Sequence, residues 1–305
     1  MESQILLNYN ITINKIITEK SFWVIRNETE TFYFVPYLRD FKDIKKLHDI
    51  TLELLNKNIA THTFVMNKKN NLITNINSEN YVLIKINFPE EKEFNLRDIH
   101  NMSNLTDLAV GVHRNDWAKL WSEKIDYFEY QIKEMGSNKQ IILNTFGYYV
   151  GLAENAISYV NFIEKNMIGN TKVVLCRRRI FFPNYAINYL NPLTFYFDLE
   201  VRDIAEYIKA SFFNDNDVWE EIEPLFKDLN LSPYECHMFY ARLLYPSYYF
   251  DIYEQIMNKG VDEDELIPII RKCNNYEEFL RTMYSYLNNF TSMIPIDWLN
   301  KKIEF

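Results

Sequence analysis

Glycine is scarce in this chain of 305 residues: only six are present, and the first is Gly111. Loops that hold phosphate groups use glycine because the backbone must approach the phosphate closely and often takes a positive φ angle. The sequence contains neither a G-x-x-x-x-G-K-[ST] pattern nor a G-x-G-x-x-G pattern. It therefore lacks the signatures of a P-loop nucleotidase and of a Rossmann dehydrogenase.

Cysteine is also rare, and the three that occur are Cys176, Cys236 and Cys273. An odd number without C-x-x-C spacing predicts neither a disulfide framework nor a zinc site. The five histidines are scattered along the chain and form no H-E-x-x-H pair. The sequence therefore gives no sign of a zinc enzyme or of a disulfide-stabilised secreted domain.

Long hydrophobic runs and an excess of basic residues are missing too. No stretch approaches 18 uninterrupted apolar residues, and the N-terminus has no basic segment followed by an apolar run. We therefore expect no transmembrane helix and no signal peptide, and a soluble protein made in the cytoplasm. The net charge of −9 argues against a general nucleic-acid binder.

The first part of the chain is rich in predicted strands. Residues 21–26 and 31–36 carry β-branched and aromatic side chains on either side of the polar sequence NETE, which predicts a β-hairpin. The segment FKDIKKLHDITLELLNKN has apolar residues near helical spacing. HTFVMN and NNLITNINSENYVLIKIN predict further strands. Residues 1–88 are therefore expected to form an antiparallel sheet with one helix packed on it.

The remainder, residues 89–305, is predominantly helical. Apolar residues at spacings of three and four, from Trp117 through Trp121 to Met135, predict one face of a long helix that ends at Gly136. A second long helix is predicted before Gly169, and several more from Val201 onward. One of these has a strong start at Ser232, with a proline following it. A strand-and-loop segment separates the two groups of helices.

Two short motifs lie in that segment: LCRRRIFFPN, residues 175–184, and YFDL, residues 196–199. With a β-rich N-lobe and a helical C-lobe, they resemble the aminoglycoside and choline phosphotransferase branch of the kinase-like fold. Its catalytic loop reads L-C-H-G-D-L-x-x-x-N and is followed by I-D-F or I-D-W. The resemblance implies an α+β, bilobal protein-kinase-like fold.

The resemblance implies roles for those residues of this chain that fall on functional positions of the family motif. In phosphoryl transfer an Asp accepts the substrate hydroxyl proton, while an Asn and a later Asp hold Mg²⁺ against the phosphates. Arg177 falls on the family His, Arg179 on the catalytic Asp, Asn184 on the Asn and Asp198 on the metal-binding Asp. The resemblance thus implies that Asn184 and Asp198 bind Mg²⁺ and ATP. Arg179 cannot act as a general base, because a guanidinium stays protonated at neutral pH.

RNDWAKLWSEKIDYFE, YYVGLAENAISY and VRDIAEYIKASFF are similar to the spore-coat branch of this superfamily, the CotS and YutH-type proteins of endospore formers. This resemblance implies a sporulation role and other spore coat proteins as partners. The net charge and the lack of a long apolar run predict neither nucleic acid nor membrane as a partner. The N-lobe departs from the kinase pattern. No glycine-rich loop precedes residues 31–36, and residues 34–37 read FVPY where kinases place their phosphate-binding Lys. These departures argue against ATP and Mg²⁺ as cofactors.

Each candidate also has a structural alternative. The alternative for Asp198 is a strand-end partner of an arginine, that for Asn184 is a turn residue, and that for residues 177–179 is a solvated or salt-bridged loop rather than an anion site. Several other residues are expected to have structural roles only. Glu53 is expected at the surface, Asp203 as a brace for its helix, and Trp117 and Trp121 in the core. Cys176 is expected to be an inert buried thiol, and the core or an interface is expected for Tyr245, Tyr248, Tyr249 and Tyr253.

Three functions follow from these patterns. The first is a catalytically impaired kinase-like protein, a pseudokinase, that binds or scaffolds in the spore coat. The second is an active small-molecule phosphotransferase with a noncanonical base and nucleotide loop. The third is a purely structural assembly protein, which predicts a large exposed tyrosine-rich patch.

Overall fold

The computed structural model describes residues 1–19, 22–88, 92–103, 116–169, 172–180 and 185–300. The chain divides into two compact units. Unit 1 takes Met1–His113, Val174–Arg179 and Pro183–Phe197, and unit 2 takes Arg114–Val173, Ile180–Phe182 and Asp198–Phe305. The chain therefore passes between the units several times. The division into lobes at residues 1–88 and 89–305 stays a prediction.

Unit 1 is built on an antiparallel sheet. Its strands are β1 (Lys15–Thr18), β2 (Trp23–Arg26), β3 (Thr31–Pro36), β4 (Thr63–Val65), β5 (Thr74–Ile76) and β6 (Glu79–Ile86). They are ordered β1-β2-β3-β6-β4, with β5 also paired to β6. The predicted hairpin is confirmed as β2 and β3, in which Trp23 lies opposite Phe34 and Arg26 opposite Thr31.

The described part of unit 1 also contains four helices: α1 (Glu2–Asn8), α2 (Phe41–Asn56), α3 (Leu96–Ser103) and the short α6 (Ala186–Tyr189). The predicted amphipathic helix is α2. Its start is capped by the Asp40 side chain, which accepts a hydrogen bond from the Lys42 amide at 2.9 Å. Helix α1 was not predicted; its Ile5, with the adjoining Tyr9, packs against Phe32 and Phe34 of β3.

Unit 2 is helical. Its helices are α4 (Trp117–Met135), α5 (Gln140–Asn166), α7 (Val201–Phe213), α8 (Trp219–Leu229), α9 (Pro233–Leu244), α10 (Ser247–Lys259), α11 (Ile267–Arg271), α12 (Cys273–Leu287) and α13 (Asp297–Asn300). Helix α5 packs against α4 and α9, and α9 also packs against α7. The predicted start of α9 is confirmed: Ser232 and Glu235 form a capping box, and Pro233 is the first helical residue.

Two short strands carry the motif residues. Strand β7 (Val173–Arg177) pairs with β8 (Phe195–Leu199), as the predicted strand-and-loop segment requires. The boundary between the units runs through both strands. No helix in the described ranges is long and apolar enough to cross a membrane.

Candidate functional site

Arg177, which is predicted to fall on the family His, ends β7 with its guanidinium buried; only 1% of the residue is exposed. Its Nε donates to the Tyr189 carbonyl and its Nη1 to the Leu175 carbonyl, both at 3.1 Å. The guanidinium carbon lies 4.0 Å from the centre of the Tyr189 ring and 4.7 Å from that of Phe195. Within unit 1, Arg177 therefore serves as a packed internal cation.

The next two arginines are less enclosed. Arg178 is exposed, and its amide donates to the Thr194 carbonyl at 2.8 Å, which continues the pairing of β7 with β8. Arg179 is half-buried, and its Nη1 donates to the Arg178 carbonyl at 3.0 Å. Asn184 lies outside the described residues. The assignment of Arg179 to the position of the general base stays a prediction.

Asp198, the predicted metal ligand, lies in β8 and is only 2% exposed. Its Oδ1 accepts hydrogen bonds from the Trp117 indole Nε1 and from the Leu199 amide, each at 2.8 Å. Burial raises the pKa of Asp198 to about 6, although the charges of Arg242 and Arg202 act in the opposite direction. The carboxylate is thus held by unit 2 in a largely dehydrated place.

The fit of Mg²⁺ to these residues is incomplete. No group of three or more His, Cys, Asp or Glu side chains in the described part of the chain could hold a metal ion. Mg²⁺ is usually held by only one or two carboxylates with waters and phosphates, so Asp198 alone would be a minimal anchor. One of its oxygens is already engaged by two N–H donors. We therefore derive no chemical step through a metal at Asp198.

A buried ionic cluster lies beside Asp198 in unit 2. The Glu206 carboxylate accepts a hydrogen bond from Arg242 Nε at 2.7 Å and pairs with Lys209 Nζ at the same distance. Lys209 also donates to the carbonyls of Arg242 and Tyr245 and to the Ser247 hydroxyl. This Glu206 cluster joins α7 to the end of α9 and the start of α10.

The charges of the Glu206 cluster depend on one another. Burial alone would raise the pKa of Glu206, but the Lys209 and Arg242 charges lower it well below its ordinary value. Burial lowers the pKa of Lys209 to about 8 against the attraction of Glu206. The Arg242 guanidinium also lies 5.2 Å from the Trp117 ring centre and 5.4 Å from that of Trp121. Arg242 thereby connects the cluster with Trp117, which binds Asp198, and with the neighbouring Trp121.

Sequence reasoning missed the Glu206 cluster. The one local signal was the spacing of Glu206 and Lys209, three residues apart on a helix with an otherwise largely apolar composition. Such spacing is common on solvated helices, so it did not indicate burial. The partner Arg242 comes from α9, and no local pattern links α9 to α7.

Other expected roles agree with the positions found. Trp117 and Trp121 are in the core, with their rings stacked at 5.5 Å. Cys176 is fully buried. Asp203 lies in the first turn of α7 and forms an ion pair with Arg202, and both side chains are buried. Three of the four tyrosines named above are buried in the core, namely Tyr245, Tyr249 and Tyr253.

The N-terminal sheet offers no lysine at the expected strand position. Phe34 is fully buried there among the rings of Trp23 and Tyr81. Glu53, the predicted counterpart of the Lys-pairing Glu, forms an ion pair with Lys57, the residue that follows α2, with 2.9 Å between Oε1 and Nζ. Its charge is therefore matched locally at the end of α2.

The family model described as "Spore coat putative kinase YutH" matches residues 2–283 of this chain. The endospore coat-associated protein YutH of Bacillus subtilis (strain 168) is 28% identical over 211 residues. That alignment covers 61% of this chain and 61% of the relative, so it spans less than two thirds of the relative's length.

Solved structures of the same fold are phosphotransferases. The aminoglycoside phosphotransferase from Alicyclobacillus acidocaldarius superposes with a TM-score of 0.65 at 10% identity, covering 93% of this chain and 95% of the other. Spectinomycin phosphotransferase APH(9)-Ia with ADP and spectinomycin gives a TM-score of 0.55 at 13% identity, covering 95% and 93%. The predicted kinase-like α+β fold is confirmed; at these identities the likeness extends to the fold alone.

Proposed function

Because the chain belongs to the YutH family of spore coat proteins, we propose that it is a kinase-like protein without phosphotransferase activity that acts in the endospore coat by binding or scaffolding. The relative from Bacillus subtilis is described as associated with the endospore coat, which supports this location. The observation that carries the loss of activity is the sequence of residues 175–184, LCRRRIFFPN. In it Arg179 is predicted to stand at the position of the catalytic Asp of the aminoglycoside and choline phosphotransferases.

The chemistry of that substitution is decisive for the proposal. A general base must accept the proton of the attacking hydroxyl, and its pKa has to lie near the working pH. A guanidinium holds its proton far above neutral pH and would also attract the phosphate rather than activate the nucleophile. Loss of the base alone would slow phosphoryl transfer severely.

The nucleotide side of the site supports the same proposal. Kinases bind ATP with a glycine-rich loop and a lysine on a strand that pairs with a glutamate of the following helix. Here the strand position is occupied by the buried Phe34, and Glu53 is paired with Lys57. Asp198 remains as the single matching ligand in the described ranges, with its Oδ1 bound to Trp117 and Leu199.

The proposal is tested by titration calorimetry with ATP and Mg²⁺ and by a phosphotransfer assay over small alcohols and amino sugars. We expect no turnover above background, and no difference between the wild-type chain and the Asp198→Ala variant. Clear turnover that Asp198→Ala abolishes would contradict the loss of activity. A thermal melt of each variant separates a lost activity from a lost fold.

The proposed role in the coat is tested separately, by the location of the protein in sporulating cells. We expect a fluorescent fusion of the chain to reach the coat of sporulating cells, and fusions carrying Arg179→Ala or Asp198→Ala to reach it equally well. A fusion that stays dispersed in the mother cell would contradict coat binding, whatever the result of the kinase assay.

A role in tyrosine-rich assembly receives less support. That alternative needs an exposed tyrosine patch, whereas Tyr245, Tyr249 and Tyr253 are buried and pack against neighbouring rings. Exposed tyrosines do occur on α4, at Tyr127 and Tyr130, and the Tyr127 hydroxyl accepts a hydrogen bond from Gln131 within that helix.

A further inference from the structure

A cavity of about 320 Å³ opens in unit 2 where the end of α7 meets the start of α8 and helix α12. Its volume lies at the lower end of the range for small-molecule sites in proteins. Helix α7 has 13 residues and begins just after Asp198, so at 1.5 Å per residue the cavity lies about 20 Å along the axis from that carboxylate. The cavity is thus separate from the candidate phosphotransferase site.

Three aromatic side chains line the cavity: Phe212 from α7, Trp219 from α8 and Phe279 from α12. The ring centres of Phe212 and Phe279 are 5.3 Å apart, and those of Trp219 and Phe279 are 5.7 Å apart. The three rings are therefore neighbours that share one wall. Ring faces attract cations through their quadrupole, most strongly for tryptophan.

The lining of the cavity contains two carboxylates and one ammonium group. Lys272 Nζ pairs with Asp215 Oδ1 at 2.7 Å and donates to the Phe213 carbonyl at 2.8 Å. Its ammonium charge is therefore matched by Asp215. Asp217 brings a second carboxylate to the cavity lining. The lining thus carries two negative charges against one positive charge.

The start of α8 would by itself favour an anion, because helix N-termini present unsatisfied N–H groups. Here the Asp217 carboxylate takes that place: its Oδ1 accepts the Trp219 amide at 2.9 Å. An anionic ligand would therefore meet a carboxylate at the helix start. The electrostatic balance of the cavity favours a positive ligand.

We propose that this cavity binds a small organic cation of the alkylated ammonium class, held against the Trp219, Phe212 and Phe279 rings and attracted by Asp217. The apolar walls accept the alkyl groups, and the net charge of −9 of the whole chain adds a weak attraction for cations. The proposal is independent of the proposed function, because it involves none of the residues assigned to phosphoryl transfer.

The test uses tetramethylammonium chloride as probe and tert-butanol as an uncharged molecule of similar shape, at constant ionic strength. Saturation-transfer NMR on the full chain detects binding, and titration of the tryptophan indole N–H signals locates it. We expect saturation transfer to tetramethylammonium, a shift of the Trp219 indole signal, and weaker transfer to tert-butanol.

Variants identify the groups responsible. Asp217→Asn keeps an oxygen acceptor for the Trp219 amide but removes the charge, and we expect about a three- to tenfold loss of affinity. Trp219→Leu should reduce binding by about tenfold or more. Asp264→Asn and Phe162→Leu change an exposed acid and an exposed ring elsewhere in unit 2, and should leave the affinity unchanged.

Three results would overturn the cation site. The first is the absence of saturation transfer to tetramethylammonium. The second is equal binding of tert-butanol, which would indicate an apolar hole without charge selectivity. The third is an unchanged affinity in Asp217→Asn, which retains an oxygen acceptor for the Trp219 amide and should fold normally. A kinase assay that contradicts the proposed function would leave each of these readouts unaffected.

Discussion

At the scale of single residues, the main finding is that unit 2 accommodates buried charges by holding them together. Asp198 is bound by Trp117, Trp117 lies against Arg242, and Arg242 is bound to Glu206. Removing one member of such a set leaves its partners dehydrated and unmatched, which costs far more than the loss of a surface pair. The predictions at this scale follow from this difference in cost between buried and surface charges.

The first prediction concerns the titration of Asp198. Its pKa is raised from 3.8 to about 6, so the folded chain holds this proton more tightly than the unfolded chain does. The free energy of unfolding therefore falls as the pH rises from about 4 to about 7, by about 2 kcal/mol from this group. Asp198→Asn cannot titrate. Its stability relative to wild type should improve by about that amount between pH 4 and pH 7.

Urea unfolding of both chains across this pH interval measures the difference. Effects of the asparagine that do not depend on pH cancel when the two ends of the interval are compared. A difference in stability that stays constant from pH 4 to pH 7 would mean that Asp198 is solvated and ionised in the folded chain.

The second prediction compares two lysine ion pairs. Lys209→Met leaves Glu206 buried with only part of its charge matched, so we expect a loss of about 3–5 kcal/mol in unfolding free energy. Lys85→Met breaks the pair of Lys85 with Glu30, whose side chains are 41% and 34% exposed, and should cost less than about 1 kcal/mol. Denaturant unfolding at one pH gives both values. Equal losses would show that the Glu206 cluster is hydrated.

Sequence reasoning predicted site residues by type and could not predict their surroundings. The spacing of the two motifs pointed to Asp198, but the indole that binds it comes from α4, 81 positions earlier. The sequence predicts residues 177–179 either as an anion site or as a solvated or salt-bridged loop, whereas Arg177 is buried. Its burial follows from Tyr189 and Phe195, which lie on either side of the turn before β8. Long-range contacts of this kind leave no local pattern.

At the scale of helices and strands, prediction succeeded where the amphipathic pattern extends over many residues. Residues 201–213 were expected as one helix and form α7. Residues 262–273 belong to the region after Val201 that is expected to be helical, but this segment is divided. Glu263–Leu266 forms a tight 3₁₀ turn, and α11 begins only at Ile267, because Pro268 cannot donate a backbone hydrogen bond and is tolerated only near a helix start. Gly136 follows α4 as expected, with φ of −84° in a continuing turn.

Helix α1 was missed because it has only seven residues, ESQILLN. Its three apolar side chains are adjacent in the sequence and show no helical period. Its importance is testable. Ile5 is fully buried against the sheet, whereas Leu7 on the same helix is 68% exposed. We expect Ile5→Ala to lower the unfolding free energy by about 3 kcal/mol and Leu7→Ala to change it by less than about 0.5 kcal/mol. A similar result for both would mean that α1 does not cover the sheet in solution.

At the scale of the whole molecule, the chain is not assembled from consecutive pieces. Unit 1 is completed by residues that follow about sixty residues of unit 2 in the sequence. The sequence pattern changes near residue 88 from predicted strands to predicted helices, which is why the sequence suggested a lobe boundary there. Such a change indicates which elements lie on each side of it. It carries no information about a later segment that returns to the first unit.

The returning segment is bound to the sheet region by specific contacts within unit 1. Arg39 Nη1 donates to the carbonyls of Leu193 and Phe195, at 3.0 and 2.7 Å. The His62 amide donates to the Leu190 carbonyl, and its Nε2 donates to the Ile187 carbonyl at 3.0 Å. Burial lowers the pKa of His62 to about 4, so the ring is neutral at pH 7 and donates from one nitrogen only.

A fragment of residues 1–88 would therefore lose the acceptors of Arg39 and His62 and expose the side of unit 1 that residues 186–195 cover. We expect this fragment to show poor amide dispersion in NMR spectra and no cooperative urea transition at pH 7, while the full chain shows both dispersion and cooperativity. Adding a peptide of residues 174–197 should restore part of the dispersion, because it supplies the missing carbonyls. A fragment that unfolds cooperatively without the peptide would place a true lobe boundary at residue 88 and reduce the Arg39 and His62 contacts to minor ones.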